Sequence, residues 1–201
     1  MGNSHIIAEL IPGPSCKASP LAPNAVCGRI DIMIADTREI AAGSEVDIID
    51  LPGFTERYVC RHNHPLSRKK KLKIGDIFNY PIATPWLPEA VLKKLSELAG
   101  LPINDISELS HGTIECHYYK VLIETVKACD AIGLGLEPIF QDEVSRGNLV
   151  YLMISTPQIK SHFGIVTKAG YSLVPAVEVF QKYLISAAQE LSLRAIENTK
   201  R

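Results

Sequence analysis

Several groups of residues in this chain carry side chains that could do chemistry. His62-Asn-His64 sets two imidazoles at alternate positions, where an extended segment presents both to one side in the manner of zinc ligands. A metal site needs three or four ligands, and no neighbouring Cys or acidic cluster completes one, so no metal is expected. Glu115-Cys116-His117 places a thiol beside an imidazole that could hold it as a thiolate. Adjacent residues on a helix point about 100° apart, which argues against a nucleophile–base pair. A pocket-lining turn fits better, because a helix start offers N–H groups and a favourable dipole to a polar ligand. Gly133 and Gly135 do not form a dinucleotide fingerprint, since the third glycine and the later acidic residue are missing. The run Arg68-Lys69-Lys70-Lys71 reads as a solvated loop in preference to a phosphate site. Trp86, the only tryptophan, follows Thr84-Pro85 at a strand-to-helix turn, where it serves either as core or as the wall of a ligand pocket.

The elements that must position these residues follow from apolar patterning. Arg29 to Ala35 reads as a buried strand with Asp36, Thr37 and Arg38 at its carboxyl tip. Glu45 to Leu51 and Phe54 to Cys60 read as two more strands, punctuated by Pro52-Gly53. Arg61 to Lys71 is a polar, basic loop entering a short helix near Ile74, and Tyr80 to Thr84 is a compact strand. Val91, Leu92, Leu95 and Leu98 give one apolar face to a helix over 87–99, closed by Gly100. Ile103 to Leu109 reads as a strand, and a helix starting at Thr113 runs through Tyr119, Leu122, Ile123 and Val126 into the glycine-broken stretch Ala131 to Leu136. Leu149 to Ile154 and His162 to Val166 read as strands, and Pro175 to Leu193 as an amphipathic helix. Residues 12–28 hold four prolines and sustain neither helix nor strand. Strands alternating with helices imply an α/β fold with largely parallel sheets, in which ligands bind at the carboxyl ends of strands. That rule marks Asp36, Thr37, Thr84 and the Thr113 turn.

Composition narrows the class. A chain of 201 residues, 46% hydrophobic and 21% charged, can bury a real core and is not disordered. A formal charge of -1 gives no overall pull toward nucleic acid. Five cysteines, odd in number and without a CxxC pair, fit a reducing cytoplasm. No basic n-region marks a signal peptide, and no uncharged run reaches the roughly 18 apolar residues of a membrane span.

Six segments, in order, resemble the effector-binding domain of LysR-type transcriptional regulators: Gly28 to Ala35 ("G-x-L-D-x-x-I"), Tyr58 to Leu66 (a strand ending in His-Pro-Leu), Ile74 to Ile82 ("L-x-D-L-x-x-Y-P"), Val126 to Leu134 ("A-I-G-L"), Gly147 to Leu152 ("G-x-L-V-x-L") and Gly164 to Ala176 ("G-I-V-x-x-x-G-R-x-L-S-P-A"). Each is weak alone, but their preserved order over residues 28 to 190 makes the resemblance specific. It implies two Rossmann-like subdomains of the periplasmic-binding-protein type II kind with an interdomain effector cleft. Subdomain I comprises 1–52, irregular over 1–28, and is completed by 156–201, which includes the C-terminal helix; subdomain II comprises 53–155.

The resemblance further implies a small-molecule effector-binding and dimerisation domain, not an enzyme, that needs no cofactor and works as a homodimer or tetramer. DNA would be reached only through a helix-turn-helix domain not present in this chain, and no membrane is involved. Carried over residue by residue, the pocket comprises Asp36, Thr37, Thr84, Trp86, Thr113, Glu115 and Cys116, with Phe163 closing it. Glu115 would disfavour an anionic effector and suit a cationic or hydroxylated one. Two other readings stand beside this one: a small enzyme on the same two-lobed fold using Cys116 or His117, and a dimerisation module that binds no ligand.

Overall fold

The structure is a computed structural model that describes residues 8–10, 31–40, 45–85, 87, 89–100, 114–154, 159–170 and 172–199. The chain divides into two compact units, Met1–Gly53 with Ser161–Arg201, and Phe54–Lys160. The expected division lay after residues 52 and 155.

The first unit is built on a sheet of four described strands: β1 (Ala8–Leu10), β2 (Ile32–Asp36), β3 (Val46–Asp50) and β9 (Phe163–Lys168), ordered β1-β2-β9-β3. The unbroken apolar run of β2 suits a strand covered on both faces. Met33, Ala35 and Val166 pack on one face with Ile40 and Val46. Ile32 and Ile165 pack on the other with Val177, Phe180, Leu184 and Ile185 of the C-terminal helix α5 (Pro175–Thr199). The spacing of those four helical residues, i, i+3, i+7 and i+8, is one helical face. At Gly164 the backbones and side chains crowd: a Cβ there would lie 2.6 Å from Thr37 Cγ2.

The second unit is a five-stranded sheet between helices. Its strands are β4 (Glu56–Arg61), β5 (Ile82–Thr84), β6 (Ile114–Glu115), β7 (Ile132–Leu136) and β8 (Leu149–Tyr151), ordered β6-β5-β7-β4-β8. On one face Ile132 and Leu134 meet Ile74 and Ile77 of α1 (Ile74–Ile77) and Val91 and Leu95 of α2 (Glu89–Ala99). On the other, Val59 and Ala83 meet Leu122 and Val126 of α3 (Tyr119–Ala128) and Phe140 of α4 (Glu137–Ser145). The two β7 glycines serve packing. A Cβ on Gly133 would lie 2.8 Å from Val59 Cγ2, and one on Gly135 3.3 Å from the Phe140 ring.

Three expectations are corrected. The sheets are mixed instead of largely parallel: β9 runs antiparallel to both β2 and β3, and β4 antiparallel to both β7 and β8. These two are the first strands formed after the chain passes from one unit to the other, and each inserts reversed between its neighbours. The helix expected from Thr113 begins at Tyr119, because Ile114 and Glu115 pair in parallel with Ala83 and Thr84 as a strand. The strand expected to reach Ile154 stops at Tyr151, and Ile154 makes only an isolated bridge to Leu72. Helix α4 was not anticipated. The strand expected over Ile103 to Leu109 and the loop over 12–28 lie outside the described residues.

Candidate functional site

In the second unit, β5, β6 and β7 run parallel, so their carboxyl ends share one edge of the sheet, and antiparallel β4 begins at that same edge. Thr84, Glu115, Cys116, Glu137 and the start of β4 are thereby gathered together. Thr84 ends β5 and is 0% exposed, yet its Oγ1 has no hydrogen-bond partner among the described residues. A buried hydroxyl left unpaired costs about 1–3 kcal/mol, so this atom marks a place for a ligand group or an ordered water. The main chain beside it is fixed, since the Cys116 N–H donates to the Thr84 carbonyl at 3.1 Å.

Two residues further, Tyr118 caps α3 without a side-chain hydrogen bond, and no acid stands in the first turn. The first N–H groups of that helix thus keep their capacity for a polar ligand. The Cys116 thiol donates to the Tyr118 carbonyl at 3.6 Å, while His117 Nε2 lies 3.6 Å from Glu115 Oε1. Thiol and imidazole are each engaged elsewhere, which is not the arrangement of a nucleophile and its base.

The same edge is lined by acids. Arg57 Nε donates to Glu137 Oε2 at 3.1 Å, the Arg57 guanidinium sits 5.8 Å from the Tyr151 ring centre, and the Tyr151 hydroxyl donates to the Glu137 carbonyl at 3.3 Å. Burial, reinforced by the Glu56 charge, pushes the Tyr58 and Tyr119 hydroxyls above the usual tyrosine range. Tyr151 is raised to about 12, by burial first and by Glu137 second.

In the first unit the tip of β2 is locally closed. Asp36 pairs with Phe163 across the sheet and caps the single 3-10 turn Thr37–Glu39. Its carboxylate accepts from the Arg38 N–H at 3.1 Å and from Arg38 Nε at 2.8 Å, and its second oxygen accepts from Arg38 Nη2. Both oxygens are therefore occupied by one neighbour. Thr37 donates twice to the His162 carbonyl, from its N–H at 2.7 Å and its hydroxyl at 3.0 Å. Phe163 is half-buried, and its carbonyl accepts from the Leu51 N–H at 2.9 Å.

Of the residues expected at the site, Thr84, Glu115 and Cys116 come together in the second unit, and Asp36, Thr37 and Phe163 in the first. Trp86 and Thr113 lie outside the described residues. Cys116 stands in the segment between β6 and α3, not at a helix start. The Arg38 clamp and the Arg57–Glu137 pair were missed, although Glu137-Pro138 is a legible helix start. His62 is exposed, whereas His64 is buried with both ring nitrogens in use: Nδ1 accepts from the Leu66 N–H at 3.0 Å, and Nε2 meets the Asp130 carbonyl at 3.3 Å. Among the described residues no group of three or more His, Cys, Asp or Glu is placed to hold a metal ion. No described helix is long and apolar enough to cross a membrane.

Residues 23–189 match the family model described as LysR substrate binding domain. The "SDS degradation transcriptional activation protein" of Pseudomonas sp. (strain ATCC 19151) is 26% identical over 162 residues, which cover 78% of this chain and 50% of that protein. This chain thus spans about half the length of the curated relative it matches. A putative transcriptional regulator from Vibrio parahaemolyticus superposes with a TM-score of 0.64 at 14% identity, over 92% of this chain and 81% of that one. The Corynebacterium glutamicum OxyR C206 mutant gives a TM-score of 0.62 at 16% identity, over 90% and 55%. The Synechocystis PCC6803 CcmR regulatory domain in complex with 2-PG gives 0.60 at 14%, over 85% and 79%.

Proposed function

The chain belongs to the LysR substrate binding domain family, and on that premise we propose that it binds a small-molecule effector at the Thr84 edge of its second unit and catalyses nothing. The observation that carries this reading is the Thr84 hydroxyl, buried at a strand's carboxyl end with no partner among the described residues. A ligand hydroxyl or ammonium would satisfy it. Glu115 and the charge of Glu56 at the same edge favour a hydroxylated or cationic head over a carboxylate. Asp36 acts by holding Arg38, since its own oxygens are taken. The domain works in the cytoplasm as a homodimer or tetramer, within a regulator whose helix-turn-helix domain contacts the DNA. The effector changes that regulator only by favouring one of its arrangements over another.

A thermal-shift screen of amino acids, amines, sugars and aromatic acids tests this, followed by titration of the best ligand. Thr84→Val keeps the side-chain shape, so its ligand-free melting temperature should equal or exceed that of the parent chain. Its affinity should fall about five- to tenfold, the value of one hydrogen bond. Unchanged affinity in Thr84→Val would remove Thr84 from the site. The Cys116 and His117 positions separate the enzyme reading: turnover of a ligand that is lost in Cys116→Ser or His117→Ala, with binding retained, would make the domain a catalyst.

A further inference from the structure

We propose that the outer edge of β3 accepts an extended segment of a different protein, one that sets Lys or Arg side chains against the acids of this strand and joins the sheet beside it. β3 ends the sheet order and pairs only with β9 among the described residues. The main-chain bonds at its two ends fix which residues face outward. The Ala169 N–H donates to the Glu45 carbonyl at 3.1 Å, and the Leu51 N–H donates to the Phe163 carbonyl at 2.9 Å. Bonded positions alternate along an antiparallel pair, so Glu45, Asp47, Ile49 and Leu51 turn their main chain toward β9. Val46, Ile48 and Asp50 turn theirs away, and no described residue bonds to those N–H and carbonyl groups. Sheet edges are ordinarily blunted by lysine, proline or a bulge. β3 contains neither Lys nor Pro, and its residues follow β9 in unbroken register. Val46, Ile48 and Ile49 are β-branched, and the two isoleucines are 41% and 40% exposed, which suits a strand that gains a neighbour.

Charge decides which occupant fits. Glu45, Asp47 and Asp50 are exposed, and none of them forms an ion pair among the described residues. Two copies of β3 laid edge to edge would crowd these acids together, and like charges directly opposite destabilise a strand pair. An antiparallel segment of another protein meets no such penalty when it carries cations opposite Glu45, Asp47 and Asp50 and apolar residues opposite Ile48 and Ile49. Written in the order that runs past Asp50 first and Glu45 last, such a segment is Lys-Ile-Val-Lys-Thr-Lys. Its main chain would bond to Val46, Ile48 and Asp50 and supply affinity, while the side-chain pairs supply the choice of partner. The edge lies within the first unit and does not depend on effector binding at Thr84.

Amide hydrogen exchange in the whole isotope-labelled chain, read by NMR with and without the end-capped peptide Lys-Ile-Val-Lys-Thr-Lys, tests this. In the free chain the Asp47 and Ile49 amides should exchange slowly and those of Val46, Ile48 and Asp50 rapidly. Excess peptide should slow the latter three about tenfold or more, the protection that main-chain bonding confers. Methylating the valine nitrogen of the peptide removes one main-chain bond and no charge, and it should weaken binding about fivefold. Asp47→Lys combined with Asp50→Lys, both at exposed positions, should weaken binding of the parent peptide about tenfold or more. Slow exchange at Val46, Ile48 and Asp50 in the free chain would mean that the edge is already covered and overturns the proposal. So does a peptide that leaves those amides unchanged, or binding that is indifferent to the two Asp substitutions. A methylated peptide that binds as well as the parent overturns it too, since charge alone would then hold the peptide.

Discussion

His64 shows how one side chain anchors a loop that looked purely solvated. The loop from Arg61 to Lys73 is rich in cations, yet His64 is only 2% exposed and stacks edge-on against Tyr80 with ring centres 4.5 Å apart. Its Nδ1 accepts from the Leu66 N–H and its Nε2 donates to the Asp130 carbonyl, so the neutral ring is fully used. Burial holds its pKa below the ordinary histidine value, outweighing the Asp130 hydrogen bond that raises it. The unfolded chain therefore takes up a proton at higher pH than the folded one does. The stability this residue contributes is complete above the unfolded value near 6.5 and is lost as pH falls through the folded value. Denaturant titrations at pH 7.5 and at progressively lower pH should show a decline below about 6.5 that His64→Asn removes. His64→Ala, which orphans the Leu66 N–H and empties the space beside Tyr80, should cost about 2–4 kcal/mol at pH 7.5. If His64→Asn retains the full decline, some other group is responsible. At this scale residue type was legible and partnership was not. Asp36 stands out in the sequence as a strand-tip carboxylate, but nothing in its spacing says that Arg38, two residues on, takes both its oxygens.

At the scale of elements, the glycines separate conformational need from packing need. Gly133 faces Val59, Val126 and Phe140, and a methyl there would press into β-branched side chains on two sides. Gly75, in the first turn of α1, has nothing within 4 Å of a Cβ and no positive φ. Gly133→Ala should therefore cost about 1–3 kcal/mol by overpacking, whereas Gly75→Ala should gain about 0.4–1 kcal/mol by restricting the unfolded chain. Chemical denaturation of both variants measures the contrast; two changes of the same sign would mean that the face between β7 and α4 is looser than the side chains indicate. The same face explains what the sequence withheld. Strands β2, β3, β4 and β5 were legible because each is a short segment carrying β-branched or aromatic residues and bounded by turn residues. Helix α4 was not, because it buries only Glu137 and Phe140 and leaves no apolar stripe. Strand β6 was absorbed into the following helix because two residues carry no period of their own. Only the long-range pairing of Glu115 with Thr84 makes it a strand.

For the molecule as a whole, chain order and core membership are decoupled in one unit and coincide in the other. The first unit draws its sheet from both ends of the sequence, since β9 from the second half lies between β2 and β3 from the first. Its two core clusters cannot form until residues more than a hundred positions apart meet, a closure that slows folding. The second unit is one continuous segment, and among the described residues its core clusters contain none from outside Phe54–Lys160. Even its returning edge is internal, with Thr55 bridged to Lys160 and the Glu56 N–H donating to the Ile159 carbonyl at 2.9 Å. A fragment comprising Phe54–Lys160 should consequently fold alone, with a single cooperative unfolding transition and with Cys60 shielded from thiol reagents until that transition. Burial pushes the Cys60 thiol up to about 12, chiefly by desolvation, with Arg61 opposing and Asp130 adding to the shift. Native-state labelling followed by peptide mapping reads both points at once, because exposed Cys129 should react readily in the same sample. Rapid labelling of Cys60 in the fragment, with protection kept in the whole chain, would show that the second unit depends on the first for its core.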